Sequence, residues 1–330
     1  STSPPPLTDG LPPSSAEHGG CRVVRGDCVA GMRALATGSI DLVIADPPYN
    51  IAVQGAAWDT VPEYLNWSRT WLAEAARVLR PGGSLFIYGS PAKLWIARLK
   101  LIAADECGLE FKQHLSWVYK QGGDARLKGM VAYSVRMEHI EWFVKPGAAH
   151  TFNPAAAAEP YTEDERREAL AKGVGRVTAE SLDQGRPPRN WFDLPRENSR
   201  SKERQYGSHP SMKPLKLCER LLLVHSNPGD AVVIPFGGSG SEAVAAALAS
   251  RRVVAFELDP NYYTIILRRL VGWALFPPHL APAQPAPTAA ALADAAADAA
   301  DAAAAATAAA AGEGGDGGEG GAGTAPAAGG

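Results

Sequence analysis

Ser39-Ile40-Asp41-Leu42-Val43-Ile44-Ala45-Asp46-Pro47-Pro48-Tyr49-Asn50 is the stretch from which the fold can be read. Its first seven residues are nearly all apolar, the pattern of a short strand buried on both faces. Pro47 and Pro48 then stop the strand and remove two backbone N–H donors. Asp46 is left at the strand's carboxyl end, with free carbonyls beside it and the ring of Tyr49 three residues on. Acceptors and an aromatic plate in one small cleft suit a planar ring that carries an exocyclic amino group.

Strand and helix signals alternate on both sides of this stretch. Cys21 to Val24 reads as a strand, Val29 to Leu35 as a short helix, and Val61 to Leu79 as an amphipathic helix stopped by Arg80-Pro81-Gly82-Gly83. Ser84 to Tyr88 reads as a strand and Pro91 to Cys107 as a helix. Leu109 to Val118 and His139 to Val144 read as strands, the second a candidate edge. The pattern decays from Lys145 to about Ser211, apart from a charged helix near Glu163 to Lys172. It resumes with a Pro214–Ser226 helix, an Ala231–Ile234 strand, a Glu242–Ala249 helix, an Arg252–Glu257 strand and a Pro260–Leu270 helix. Such alternation predicts an α/β protein with a doubly wound, mostly parallel sheet.

A second motif, Pro235-Phe236-Gly237-Gly238-Ser239-Gly240, follows one of these strands and opens a helix. Glycines there let the backbone approach a ligand, and a helix N-terminus favours negative groups. Glu257 ends the next strand, about twenty residues on, where an acid can bind the two hydroxyls of a ribose. A nucleoside-containing cofactor is therefore expected. Gly238-x-Gly240-x-x-Ala243 is also compatible with a dinucleotide site, but such motifs usually open a domain and this one nearly closes it.

Composition sets the limits. The chain has 330 residues and a net charge of −3. From Pro277 on it is mostly Ala, Gly and Pro with six acids and no Lys or Arg, so a disordered tail over 277–330 is expected. Residues 1–20, rich in Pro, Ser and Gly, are read the same way. That leaves 21–276 as one domain, with an insertion at about 145–211. Removing the tail charge leaves about +3 (−3 + 6), a mildly basic body compatible with nucleic acid. The four cysteines form no CxxC pair, which argues against a metal or disulfide framework. No signal peptide and no 18-residue apolar run is visible, so a soluble intracellular protein with no membrane contact is expected.

Taken together, the two motifs resemble the amino-methyltransferases that use S-adenosylmethionine to methylate exocyclic nitrogens of DNA bases. Their order, with Asp-Pro-Pro-Tyr first and the Gly-rich turn last, resembles the circularly permuted β group. The likeness extends to Trp58-Asp59, Trp71 to Leu79, Glu138-His139-Ile140-Glu141-Trp142-Phe143, His209-Pro210-Ser211-Met212-Lys213-Pro214 and Glu257 to Tyr263. Two departures stand out: Ile234 replaces the family's usual acid before Pro-Phe, and Met212 replaces a common polar residue.

The resemblance implies the chemistry. Asp46 and the carbonyl of Pro47 would accept the two amine hydrogens, free the nitrogen lone pair and stabilise its developing charge. Pro48 would shape the turn, Tyr49 would stack on the base, and the base would be flipped out of the duplex. Asp27, Asp46, Lys213, Pro235, Phe236, Gly238, Ser239, Gly240, Glu257 and Leu258 would border S-adenosylmethionine. No metal is required. Double-stranded DNA is the expected partner, and many family members dimerise, which admits a homodimer.

Between Arg186 and Arg220 lie nine basic residues against four acids, with Trp191 and Tyr206 interleaved. That run suits phosphate contacts, so Asn50, Arg186, Arg189, Arg196, Arg200, Lys202 and Arg204 are candidate DNA contacts. The resemblance favours adenine N6 as the target. Cytosine N4 is the nearest rival, and a catalytically inactive DNA-binding or partner subunit is the other. In a bacterium the site of action would be the cytoplasm at the nucleoid; in a eukaryote, the nucleus or an organelle. Deleting Pro277 to Gly330 should leave methyl-transfer activity intact, as scored against the full chain on the same DNA.

Overall fold

Ile40–Ala45 forms the middle strand of a nine-stranded sheet in a computed structural model that describes residues 15–119, 133–172, 178–197, 201–207 and 209–275. The expected tail and most of the N-terminal segment lie outside the described residues. In chain order the elements are β1 (Ser15–His18), β2 (Cys21–Arg25), α1 (Cys28–Arg33), β3 (Ile40–Ala45), α2 (Tyr64–Val78), β4 (Leu79–Gly89), α3 (Trp95–Leu101), β5 (Glu110–Val118), β6 (Met137–Val144), α4 (Glu163–Lys172), α5 (Ala179–Asp183), β7 (Trp191–Asp193), α6 (Leu215–His225), β8 (Ala231–Ile234), α7 (Ser241–Leu248), β9 (Arg252–Glu257) and α8 (Pro260–Gly272).

The sheet order is β1-β2-β9-β8-β3-β4-β6-β5-β7. From β2 to β4 every pair is parallel, whereas β6 runs antiparallel to both β4 and β5. Alternate residues of β3 face opposite layers. Leu42 and Ile44 join the core under α6, α7 and α8, while Val43 and Ala45 join the core under α1, α2 and α3. Both faces are covered, which is why β3 and β8 read as continuous apolar runs. Carboxyl ends of β3, β8 and β9 converge on one edge, where open α/β sheets place their ligands.

Several expectations need correction. Ser15–His18 lies inside the segment expected to be disordered, yet it pairs antiparallel with β2 from Ser15↔Val24 to His18↔Cys21. Arg80-Pro81-Gly82-Gly83 ends the helix, but it does not delay the strand, because β4 starts at Leu79. The four residues bulge, and the register with β3 jumps from Ile40↔Leu79 to Leu42↔Ser84. Gly82 has φ +77 there, and a Cβ would lie 2.3 Å from the Ala149 carbonyl oxygen. The helix expected over Pro91 to Cys107 is α3 followed by a π turn at Ile102–Glu106. β6 is interior rather than an edge, since β4 and β5 flank it. The edges are β1 and β7.

Within 145–211, α4 and α5 pack on each other. Trp191–Asp193 adds β7 to the sheet beside β5, so this segment extends the sheet as well as interrupting it. A short 3-10 turn, Lys202–Tyr206, then leans on α8. Arg269 of α8 is fully buried there. Its guanidinium donates to the Ser239 carbonyl and the Ser241 hydroxyl, both at 2.9 Å, and pairs with Glu203 at 2.9 Å. One side chain thus fastens the Gly-rich turn to the end of the insertion. Replacing it with Leu strands a carboxylate and a buried carbonyl, and should cost on the order of 3 kcal/mol in urea unfolding.

Candidate active site

Asp46 directly follows β3, and the two prolines turn the chain before it can continue into the sheet. Its carboxylate is the centre of a buried polar cluster. Lys213 Nζ donates to Asp46 Oδ2 at 2.6 Å and lies 3.3 Å from Glu138 Oε2. The Tyr49 hydroxyl is 2.8 Å from Asp46 Oδ1 and 2.8 Å from Glu138 Oε2. Lys213 is only 1% exposed and Glu138 only 6%. Burial raises the Asp46 pKa; Lys213 opposes that, and Glu138 adds to it. Burial, and then the two carboxylates, push the Tyr49 hydroxyl well above its ordinary range. For Lys213, burial alone would lower the ammonium pKa, but Asp46 and Glu138 reverse the effect and hold it high.

The loop beyond Tyr49 is set by one acid. Asp59 is 1% exposed and accepts from the backbone N–H groups of Asn50 (2.8 Å), Ile51 (3.1 Å) and Val53 (2.8 Å). Asn50, at φ +54, accepts at its side-chain carbonyl from Val61 N at 2.9 Å. The Tyr64 hydroxyl donates to the Pro48 carbonyl at 2.7 Å. The Pro47 carbonyl receives no hydrogen bond among the described residues, so one acceptor beside Asp46 is left for a ligand.

A cavity of about 850 Å³ opens above this cluster and runs to the Gly-rich turn. Gly238 (φ +52) and Gly240 (φ +82) bend the turn, and a Cβ on Gly237 would lie 2.7 Å from Ile266. Glu257 caps the far end, its carboxylate accepting from Gly238 N at 2.6 Å and Asp259 N at 2.7 Å. Burial outweighs those bonds and pushes its pKa up to about 7. His209 is stacked against Trp58 at 5.5 Å and meets Tyr262 edge-on at 4.4 Å. Its Nδ1 accepts from Ser211 N at 3.2 Å, and burial lowers its pKa to about 3, so the ring is neutral. Phe236, against Trp67 and Trp71, closes the apolar wall.

The fold brings most of the expected residues together. Asp27, Asp46, Pro47, Pro48, Tyr49, Lys213, Pro235, Phe236, Gly238, Ser239, Glu257 and Leu258 all line the cavity. Asp27 also caps α1 by accepting from Ala30 N. Gly240 does not line it; this residue is the N-cap of α7, folded against Ile266.

Of the expected DNA contacts, only Arg196 lines the cavity, over the Tyr119 ring at 4.5 Å. Asn50 holds its own loop instead of facing the cavity. Arg186 is committed to Glu165 at 2.8 Å, because both belong to the packed insertion. Arg189 lies over Trp191, Lys202 opens the 3-10 turn, and Arg204 Nε donates to the Glu197 carbonyl. Arg200 is outside the described residues.

Glu138, Trp58, Tyr119, His209 and Glu242 also line the cavity, beyond the set expected from sequence. For Glu138 the signal was its place in the Glu138-to-Phe143 segment that resembles the family, not the alternation of its strand. Ile234 and Met212 are buried apolar residues, so neither offers the cofactor a polar group. A separate cluster, His114, His139 and Glu141, could hold a metal ion by geometry, but Lys100 already sits 2.9 Å from the Glu141 carboxylate.

Comparison with known proteins places this site. The DNA methylase family of N6/N4 methyltransferases matches residues 40–268, and the chain belongs to that family. It is 31% identical over 257 residues to the DNA adenine methyltransferase YhdJ of Escherichia coli K12, covering 75% of this chain and 82% of that one. It is 29% identical over 253 residues to the type II methyltransferase M.HpaI of Haemophilus parainfluenzae, covering 76% and 74%. Among solved structures, the cytosine-N4-specific PvuII DNA methyltransferase shares the fold at TM-score 0.58 and 19% identity, over 75% of this chain and 85% of that one. A DNA modification methylase of Thermus thermophilus, solved with S-adenosylmethionine, does so at 0.51 and 23%, over 76% and 95%.

The protein is therefore a site-specific DNA methyltransferase dependent on S-adenosylmethionine. The residues present fit that cofactor: a half-buried carboxylate for a ribose diol, a glycine turn that lets the backbone come close, and aromatic walls. Hydroxyl donors favour the ionised Glu257, so binding should draw its proton off. Affinity for S-adenosylmethionine should accordingly rise about tenfold from pH 6 to pH 8 by calorimetry, and Glu257→Gln should flatten that rise.

Proposed function

We propose that this enzyme methylates the N6 amino group of an adenine flipped out of duplex DNA. The observation that carries the reading is the pairing of Asp46 with the unoccupied Pro47 carbonyl at the floor of the cavity. An exocyclic amine has two hydrogens, and these are two acceptors. Holding both weakens the nitrogen's conjugation with the ring and exposes its lone pair. The cofactor supplies, when bound, an electrophilic methyl group on a sulfonium. Asp46 stabilises the positive charge that grows on the nitrogen.

Tyr49, fixed by two carboxylates, presents a rigid plate for the base. Lys213 contributes a balancing charge close to the reaction, and the aromatic walls exclude water. Adenine is favoured over cytosine because the motif begins with Asp, and because a relative of 31% identity is named an adenine methyltransferase. Arg196 at the cavity mouth, with Arg189, Lys202 and Arg204 on the same inserted segment, supplies groups for DNA phosphates. The segment 145–211 would then be the target-recognition region.

Mass spectrometry of nucleosides from treated duplex DNA tests this directly. N6-methyladenine is expected, with a loss of at least about 10³-fold in Asp46→Ala. N4-methylcytosine as the sole product would keep the mechanism and overturn the target.

A further inference from the structure

A tyrosine hydroxyl carries a single hydrogen, yet the Tyr49 oxygen lies 2.8 Å from a carboxylate oxygen on each side. It can donate to only one of them. The other contact is a hydrogen bond only if that carboxyl group carries a proton and donates it to the tyrosine oxygen. Charge gives the same count. Lys213 touches both acids, so two ionised carboxylates would leave a net negative charge in a buried site. One added proton makes the cluster neutral.

We propose that Glu138 and Asp46 share one proton across the Tyr49 hydroxyl, making Glu138 the positioning acid that sets when Asp46 is an anion. This rests on the methyl-transfer reading of the site. Two forms interconvert. In the active form Glu138 Oε2–H donates to Tyr49 and the tyrosine O–H donates to Asp46 Oδ1, so Asp46 is a carboxylate. In the resting form Asp46 Oδ1–H donates to Tyr49 and the tyrosine O–H donates to Glu138. Passing between them moves one proton from Glu138 onto the tyrosine oxygen and the tyrosine's own proton onto Asp46. No net charge is created.

Only the active form accepts an amine hydrogen at Asp46. As the nitrogen–methyl bond forms, the sulfur keeps the electron pair of the bond that breaks, and the nitrogen's surplus proton passes to Asp46. The acids then hold two protons beside the Lys213 ammonium, a surplus positive charge that favours release of one to water.

The groups facing the pair are Lys213, Tyr88 from β4, Glu242 from α7 and Tyr119 beyond β5, with Arg196 over the Tyr119 ring. Glu242 is itself pushed up to about 7, by burial first and then by Asp46. The pair differs from a pair of surface acids because Lys213 fixes both partners at once.

The test starts with the free, full-length protein. Infrared difference spectra of wild type minus Glu138→Gln, at pH 7.5 and with labelled carboxyl carbons, should show a protonated carboxyl band present only in the wild type. Its absence would mean two ionised acids and would overturn the proposal, whether or not the protein methylates DNA. A present band with no methyl transfer would sink the functional reading alone. In turnover, Glu138→Gln holds Asp46 as the carboxylate, so the acid limb of the pH profile should move down by on the order of one unit, because Asp46 loses a neighbouring acid. Cofactor affinity should stay within about twofold. Glu138→Asp should restore part of the wild-type limb. A fall in kcat with an unmoved acid limb would make Glu138 merely structural and reject the idea. Should Glu138→Gln not fold, Tyr49→Phe keeps both acids and removes the bridge. A carboxyl band unshifted by that change would equally overturn the proposal.

Discussion

The ion pair between Lys213 and Asp46 is the contact on which the rest of this structure turns. It joins residues 167 positions apart in sequence and holds a lysine that is almost wholly out of water. An ammonium so placed is costly unless its partners are well made. Here they are two carboxylates, one from the end of β3 and one from β6. The backbone carbonyl of the same lysine accepts from the Ser241 hydroxyl at 2.7 Å, and Ser241 also receives Arg269. A chain of polar contacts therefore runs from the reacting carboxylate to the glycine turn and on to the inserted segment at Glu203. Loss of geometry at one end is felt at the other because the middle links, at Ser241, are buried and the end links are largely so.

The cavity has two kinds of wall. Toward Asp46 it is ionic and rigid, tied by a tyrosine bridging two acids. Toward Glu257 it is aromatic and backbone-lined, with a carboxyl whose charge depends on what lies beside it. One end is built to hold charge in a fixed place and the other to acquire it on contact. The hydrophobic layers explain how both are kept in register. β3 and β8 place alternate residues in opposite cores, so neither strand can slide without moving its whole apolar set.

Much of this could be read from residues alone, for a physical reason. Asp46-Pro47-Pro48-Tyr49 and the glycine turn act through backbone geometry, which short patterns specify. The interior strands and long helices announce themselves by periodicity. β1 and β7 did not: three- and four-residue edge strands are held by their neighbours, and nothing local marks them. Glu138 was hidden by its strand, since alternation describes burial but not which buried acid meets which cation. The basic run shows what composition leaves out. Composition shows that Arg186 is positive, but only packing shows that Glu165 has already taken it.

The parallel pairing of β3 with β8 also has a consequence for how the chain is made. Asp41 of β3 accepts from Ala231 N of β8 across 190 residues of sequence. At ribosomal rates of roughly 5–20 residues per second, β3 emerges on the order of ten seconds before that neighbour. During that interval one apolar edge of the sheet is open, with its ladder unfilled. The nascent enzyme thus passes through a stage at which a strand that is apolar on both faces is available to other chains. The last third of the protein, which carries the cofactor turn, is also the piece that closes it.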